Sequence, residues 1–246
     1  MDTDGAMTGY CVGNPMDDLA TDAAGMNGVS ADVDPSRPRG RVPLWLKVIY
    51  SLFVAVLVPY YWRAYSPWNF LYFCDVALLV TLVALWAESR FLVSLEAVAI
   101  LLPQTVWVID FLVRAAGFRL LGMTNYMFNP SLSLTTRGLS LFHGWLPILL
   151  VYLLIRLGYD RRAFAWQSVI GVALLLFCFF VAPKPPAPAL HPNMAVNINY
   201  VWGLDDQKPQ TGMAPGAFIA MLCAVFVVGI YMPTHLVLRW VFRAKR

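Results

Sequence analysis

Charged side chains are scarce in this sequence. They make up 13% of its 246 residues, whereas about 25% is usual in soluble domains. Hydrophobic residues account for 59% of the chain, and the mean hydropathy is +0.63. This balance argues against an ordinary soluble domain and indicates a chain that lies within a lipid bilayer.

The sequence also lacks the signatures of several enzyme and cofactor-binding classes. It contains no serine-hydrolase or Rossmann motif and no glycine-rich phosphate loop. Its 4 cysteines include no CxxC pair, and no histidine and cysteine residues show metal-ligand spacing. Three of these cysteines fall in apolar segments, so a disulfide framework is not expected. The sequence therefore predicts no metal site and no cofactor.

Long apolar runs, in contrast, are abundant. A helix needs about 20 apolar residues to cross a hydrocarbon core of roughly 30 Å. Extended segments cannot cross, because their backbone groups would lack hydrogen-bond partners in lipid. Six segments meet the requirement: residues 44–61, 68–87, 91–112, 139–157, 164–181 and 217–241. The sequence thus predicts an all-α polytopic membrane protein, a bundle of six transmembrane helices.

The basic residues predict how this bundle is oriented. Of 18 lysines and arginines, twelve fall at the end of the bundle that holds both termini, and six fall at the other end. We expect the protein to lie in the inner membrane of the cell. Because cytoplasmic loops carry an excess of positive charge, we expect both termini to be cytoplasmic. The basic balance then reflects orientation and contact with membrane lipids, and it gives no sign of nucleic-acid binding. The oligomeric state is left open.

The first 42 residues differ in character from the rest. They contain seven aspartates, many glycines and no apolar run. A signal peptide would instead lead from a positively charged start into an apolar core. We predict a disordered cytoplasmic tail at 1–42, followed by the six-helix transmembrane domain at 43–246.

Ionisable residues inside a membrane span are costly and tend to face the bundle interior. The candidates are Asp75, Glu96, Asp110 and His143. Asp75 lies about 10 Å inside its predicted span, His143 one turn inside, and Asp110 in a last turn. All three fall near the end that carries the two long loops, 113–138 and 182–216. Their shared depth predicts a polar pocket in the outer half of the bundle.

Several roles are open to these residues. Asp75 has no basic residue within one turn of its own helix, so either its partner comes from elsewhere or desolvation keeps it protonated. An Asp75–His143 pair would explain its presence and would keep the imidazole charged. Cys74 could be a thiol nucleophile activated by His143, although neighbours on a helix point about 100° apart and buried cysteines often act as inert hydrophobes. Asp110 could simply pair with Arg114, four residues away, and His143 could merely join two helices.

Several strings in the sequence resemble a family of bacterial multi-pass membrane proteins that has no assigned activity. The strings are NFLYFCDVALL, VIDFLVR, GMTNYMFNPSL, LSLFHGWLPILLVYLLIRLGYDRRAF, NINYVWG and MPTHL. More distantly, the arrangement looks like the six-helix group of androgen-induced lipid hydrolases and an ether-phospholipid acyltransferase. In that group, a threonine or cysteine in an early span pairs with a histidine in a later span. The resemblance thus implies lipid acyl chemistry at Cys74 and His143.

Three functions follow from these observations. The first is a lipid acyl hydrolase or acyltransferase with His143 as general base, Asp75 as its orienting partner, and Cys74 or a water as nucleophile. Asn197 and Asn199 would donate hydrogen bonds to a developing oxyanion, and Asp110 would contact the substrate.

The second function is a non-catalytic or proton-linked carrier, with Glu96, Gln104 and Asp110 as a polar line on one helix face. The third is a structural membrane partner in which polar residues only hold helices together. Because the chain shows no internal repeat, the sequence gives little support to an inverted-repeat transporter.

Overall fold

The structure is a computed structural model that describes residues 42–243. The predicted tail therefore lies outside the described residues, apart from Val42. The described part is all-α and contains six helices: α1 (Leu44–Tyr65), α2 (Phe73–Ala87), α3 (Arg90–Ala115), α4 (Leu134–Leu157), α5 (Ala163–Val181) and α6 (Pro215–Val241). All except α2 are long and apolar enough to cross a membrane. By helix length and hydropathy this is a multi-pass membrane protein.

The second predicted span differs from the helix that the structure contains. Residues Pro67–Leu71 form a 3₁₀ turn, and α2 begins only at Phe73 and has 15 residues. The break lies at Tyr72, whose extended backbone (φ of −63° and ψ of 138°) separates the 3₁₀ turn from α2. At 1.5 Å per residue, α2 spans roughly 22 Å. Asp75 therefore lies in the first turn of its helix rather than two turns inside.

The fourth predicted span also starts elsewhere. Helix α4 begins at Leu134, with Ser133 accepting a hydrogen bond from the backbone N–H of Thr136 at 3.1 Å. Serine is a favoured residue before a helix, because its hydroxyl satisfies one of the free N–H groups of the first turn. The helix is interrupted at Leu141, between Ser140 and Phe142, so His143 lies in the first turn after this interruption.

Helix α3 occupies the centre of the bundle. It packs against α2, α4, α5 and α6, and it is the most buried of the five long helices, whereas α6 is the least buried. Apolar side chains on the outer helices remain exposed, including Trp45 and Leu52 on α1. Such faces suit contact with lipid tails.

The two ends of the bundle are unlike each other. One end, the loop side, carries the connections 66–72, 116–133 and 182–214, and the other end, the turn side, carries only 88–89 and 158–162. On the loop side the backbone N–H of Ala195 donates to the carbonyl of Tyr65 at 2.8 Å. On the turn side Lys47 forms an ion pair of 2.7 Å with Glu88. The long loops thus fold onto one end of the helices.

Helix α6 contains a π-helical segment, Val225–Tyr231. Phe226 and Tyr231, at either end of this segment, contact each other with ring centroids 5.9 Å apart. The Tyr231 ring is buried against Gly171 of α5, where an added Cβ would lie 2.5 Å from the tyrosine hydroxyl. Glycine at 171 is therefore what allows α5 and α6 to approach at this point.

Candidate functional site

A cavity of about 690 Å³ lies at the loop side of the bundle. Its walls come from α1, α2, α3, α4 and α6 and from the three loop-side connections. The volume falls within the range of small-molecule sites, about 300–1,000 Å³. Five of the sequence-derived candidates, Cys74, Asp75, Gln104, His143 and Asn199, line this one cavity.

Asp75 is nearly buried, with 3% of its surface exposed. Its Oδ2 accepts hydrogen bonds from Nδ2 of Asn69 at 3.2 Å and from the Cys74 thiol at 3.7 Å. Its Oδ1 has no partner within the described protein. Asp75 Oδ1 is thus an unpaired, buried acceptor on a residue that lines the cavity.

Asn69 is a site residue that the sequence analysis missed. It lies in the 3₁₀ turn, and its carbonyl accepts from the backbone N–H of Tyr72 at 3.1 Å. The turn brings the Asn69 amide back to Asp75, six residues later in the chain. Pro67 begins this turn, but no local pattern in the sequence predicts the contact between Asn69 and Asp75.

His143 is held by its own helix. Its Nδ1 lies 2.8 Å from the carbonyl oxygen of Ser140, and since a carbonyl only accepts, Nδ1 carries a proton. Trp107 stacks on the imidazole with ring centroids 5.1 Å apart. When the ring is neutral, Nε2 therefore has its lone pair free as a hydrogen-bond acceptor or a base.

The predicted hydrogen-bonded pair between Asp75 and His143 is absent from the described residues. Asp75 is bonded to Asn69 and Cys74, and His143 to the Ser140 carbonyl. Cys74 likewise donates to Asp75 instead of His143. The two side chains line the same cavity, but each is bonded to residues of its own segment of the chain.

Gln104 of α3 also faces the cavity. It is 3% exposed, and neither its Oε1 nor its Nε2 has a partner within the described protein. An unsatisfied buried polar group costs about 1–3 kcal/mol. Together with Asp75 Oδ1, this amide forms an unused polar surface inside an otherwise largely apolar wall.

Asp110 does not line the cavity. Its carboxylate accepts four hydrogen bonds, from the backbone N–H groups of Leu121, Gly122 and Thr124 and from the Thr124 hydroxyl, at 2.7–3.1 Å. No ion pair joins Asp110 to Arg114 in the described residues; Arg114 lies over the Phe128 ring at 5.6 Å. Asp110 therefore anchors the 116–133 loop, and neither of its two predicted roles is seen.

Asn197 also lies outside the cavity wall. It is fully buried and has a left-handed backbone, with φ of 51°. Its Oδ1 accepts from the backbone N–H of Trp202, and its Nδ2 donates to the carbonyl of Gly203, both at 2.8 Å. The amide thus closes a turn of the 182–214 connection, and its donor is already in use.

Asn199 connects the same loop to α2. Its Oδ1 accepts from the backbone N–H of Phe73 at 3.0 Å, and its Nδ2 donates to the carbonyl of Leu71 at 2.8 Å. Phe73 is the first residue of α2, so Asn199 caps this helix from 126 residues away. The predicted oxyanion donor is therefore occupied by helix capping, although the residue does line the cavity.

Glu96 lies on α3, nearer the turn side, and does not line the cavity. It is 2% exposed, and in the described part of the chain it makes no hydrogen bond or ion pair. Tyr50 and Tyr231 are close enough to interact with it electrostatically. Of the predicted line of Glu96, Gln104 and Asp110, only Gln104 faces the cavity.

The charges around the cavity are of one sign. Asp75 lines its interior and Asp206 its rim, and no lysine or arginine of the described range is part of the wall. Partial burial raises the pKa of Asp206, and the Asn197 amide, which donates to it at 3.1 Å, opposes that effect. Within residues 42–243, no three histidine, cysteine, aspartate or glutamate side chains are grouped as metal ligands would be.

Comparison of the chain with known protein families, with curated proteins and with solved structures gave no match. The described helices therefore establish a multi-pass membrane protein with five membrane-length apolar helices. What the protein does has to be argued from the cavity itself.

Proposed function

We propose that this membrane protein binds an amphipathic molecule, a lipid or a lipid-like compound, in the loop-side cavity. The observation that carries the proposal is a set of unpaired, buried polar atoms on two residues of the cavity wall: Asp75 Oδ1 and both amide atoms of Gln104 have no partner within the described protein. A ligand with a polar group would satisfy these atoms. Their desolvation cost, about 1–3 kcal/mol for each unpaired group, would then be recovered on binding.

The remaining wall suits an apolar body. Ile100, Trp107 and Phe226 line the cavity together with several tyrosines. Ligand sites typically combine such apolar and aromatic walls with a few polar groups that fix orientation. We therefore place the polar end of the ligand between α2 and α3 and its apolar part along these rings.

A purely structural role accounts less well for the same atoms. Polar residues that hold membrane helices together do so by bonding across helices. Asp110 illustrates such use, with four hydrogen bonds. Gln104 makes no side-chain hydrogen bond. Asp75 bonds only to Asn69 and Cys74, which are close to it in the chain.

Binding is tested with a fluorescent monoacylglycerol and purified protein in lipid nanodiscs. Gln104→Leu removes the amide while keeping a side chain of similar size, and it should weaken binding about fivefold or more, as expected for the loss of a hydrogen bond worth about 1 kcal/mol. Gln167→Leu is the matched control, because Gln167 is equally buried but lies outside the cavity. Equal affinities for the two variants would contradict the proposal.

Hydrolysis of a lipid acyl ester is a second candidate function, and the proton on His143 Nδ1 favours it. The Ser140 carbonyl orients the imidazole, the role first expected of Asp75, and leaves Nε2 as a base at the cavity wall. The Cys74 thiol donates to Asp75 and has no hydrogen bond to His143. The nucleophile we propose is therefore a water molecule.

The reaction would proceed in two proton transfers. His143 Nε2 removes a proton from water while the water oxygen bonds to the ester carbonyl carbon, and the Gln104 amide is an available donor to the resulting oxyanion. Collapse breaks the acyl–oxygen bond, and Nε2 returns its proton to the departing alkoxide. The products are a carboxylic acid and an alcohol.

The test is hydrolysis of a 4-nitrophenyl ester of an eight-carbon acid. His143→Gln should lower the rate roughly 10²–10⁴-fold, the usual contribution of a general base, whereas Cys74→Ala should leave it within about threefold. A complete loss with Cys74→Ala would instead identify a cysteine nucleophile. Activity retained in His143→Gln would refute the hydrolytic candidate without affecting the binding proposal.

We also propose that the protein lies in an inner membrane with both termini cytoplasmic and the cavity toward the opposite face. The support is the division of the 18 basic residues expected from the sequence, with twelve toward the end that holds both termini and six toward the other end. Green fluorescent protein fused after Arg246 should fluoresce, and alkaline phosphatase at the same position should be inactive. An active phosphatase there would refute the orientation.

A further inference from the structure

Two acceptors near α2 and α4 have no hydrogen-bond donor at the cavity wall. Asp75 Oδ1 has no partner in the described residues, and Nε2 of neutral His143 has its lone pair free. A ligand group that carries N–H donors or a positive charge would complement these two atoms.

The charged side chains near the cavity narrow the choice of ligand group. Asp75 is a buried carboxylate without an ion pair in the described residues, and no lysine or arginine of that range lines the cavity. Two cations of the loop side lie against aromatic rings instead: Lys184 is 4.2 Å from the Trp202 ring centroid, and Arg114 is 5.6 Å from that of Phe128. An anionic ligand group would thus meet no compensating cation, whereas a cationic group would stabilise the ionised form of Asp75.

The aromatic rings of the cavity wall also favour a cationic ligand group. The rings include Tyr61, Tyr65, Tyr72, Trp107, Tyr126 and Phe226. The faces of such rings attract ammonium groups, by about 0.5–1 kcal/mol each when exposed and about 2 or more when desolvated. Aromatic walls combined with an acidic residue are a common means of binding organic cations.

We infer that the cavity takes an organic cation, a molecule that carries a protonated amine or a quaternary ammonium group on an apolar body. This inference rests on the proposed binding function and specifies the polar group of its ligand. The ammonium group lies near Asp75, and the apolar body lies along Trp107 and Phe226. Fatty-acid anions and alkyl sulfates are excluded by the same charge argument.

The test measures displacement of the fluorescent monoacylglycerol by three six-carbon compounds, hexyltrimethylammonium, hexanol and hexyl sulfate. Protein is embedded in nanodiscs of digalactosyldiacylglycerol, a lipid with neither ammonium nor phosphate. Hexyltrimethylammonium should displace the probe at a concentration at least tenfold lower than the other two. Displacement by hexyl sulfate or hexanol at the same or lower concentration would overturn the inference.

Substitutions test which residues cause the preference for hexyltrimethylammonium. Asp75→Asn should reduce the tenfold preference to threefold or less, and Asp205→Asn should leave it unchanged, since Asp205 is not part of the cavity wall. If Asp75→Asn fails to accumulate, Asp206→Asn at the rim is used, with a smaller reduction expected. If Asp75→Asn, or Asp206→Asn where it is used instead, leaves the preference for hexyltrimethylammonium unchanged, the inference is also overturned.

The same measurement in phosphatidylcholine nanodiscs identifies the source of the cation. If the ligand is a lipid headgroup, choline lipids occupy the cavity and displacement by hexyltrimethylammonium requires about tenfold more compound. Equal displacement in both discs supports a free amphiphilic cation. A probe that fails to bind in either disc refutes the binding function itself, whereas a bound probe displaced alike by all three compounds refutes only the cation.

Discussion

Replacement of Asn199 by alanine tests how the loop side is held together. The asparagine side chain satisfies the backbone N–H of Phe73 and the carbonyl of Leu71, and no other hydrogen bond to either group is seen outside the regular helices. Each group left without a partner costs about 1–3 kcal/mol when buried. Because Leu71 is only partly buried, we expect Asn199→Ala to lower the free energy of unfolding by about 2–4 kcal/mol.

Two further variants separate the contribution of the side-chain hydrogen bonds of Asn199 from that of its backbone conformation. Asn199 has a left-handed backbone, with φ of 56°, which disfavours alanine by about 1 kcal/mol relative to glycine. Asn199→Gly should therefore be less destabilising than Asn199→Ala by roughly that amount. Asn199→Asp keeps the acceptor for the Phe73 N–H but turns a buried carboxylate oxygen toward the Leu71 carbonyl, so it should be more destabilising than Asn199→Gly.

The assay is unfolding by sodium dodecyl sulfate in mixed micelles, followed by circular dichroism. Asn129→Ala is the control, because Asn129 bonds only to Ser131 in an exposed turn, and it should change stability by less than about 0.5 kcal/mol. Asn199→Ala should also weaken binding of the fluorescent monoacylglycerol, since Asp75 lies two residues beyond Phe73. If Asn199→Ala is as stable as Asn129→Ala, the capping argument is wrong.

Three other predictions concern packing and charge. Asp110→Asn should lower the free energy of unfolding by about 2–4 kcal/mol and make the 116–133 loop more sensitive to protease, while cavity binding changes less than threefold. Gly171→Ala should destabilise by about 1–3 kcal/mol in the dodecyl sulfate assay, because its Cβ would collide with Tyr231, and Gly138→Ala, which has open space, is its control. The Arg162 side chain donates to Asp160 and lowers the pKa of that carboxylate; the stability it contributes is therefore present above about pH 4 and lost as the pH falls further. Asp160→Asn should remove that part of the pH dependence, and an unchanged acid profile would contradict it.

The existence of the helices could be predicted from the sequence because a bilayer imposes a simple rule. Only long apolar helices cross it with their backbone groups satisfied, and five of the six predicted segments are membrane-length helices in the structure. The exception was the second segment, where a 3₁₀ turn and the extended residue Tyr72 replace the first part of the predicted helix. Hydropathy measures how apolar a segment is and does not report such a local change of backbone conformation.

The content of the site could be predicted only in part. Asp75, His143 and Gln104 were identified as buried polar residues, and connectivity alone brings Asp75 and His143 to the same end of the bundle. Their partners could not be predicted, because hydrogen bonds depend on ångström-level positions that chain order does not specify. Asn69 was overlooked for this reason, and Asp110 was assigned to the pocket although it bonds to its own loop.

The sequence by itself determined that this is a helical membrane protein and which costly polar side chains it carries, because the energies of apolar and charged groups in lipid depend mainly on residue type. Only the tertiary structure decided which of those side chains are already satisfied. Asp110, Asn197 and Asn199 form their bonds with loop and helix backbone, whereas Asp75 Oδ1 and Gln104 remain unpaired beside a cavity. That distinction depends on how distant segments pack, since a partner 126 residues away has no signature in local sequence.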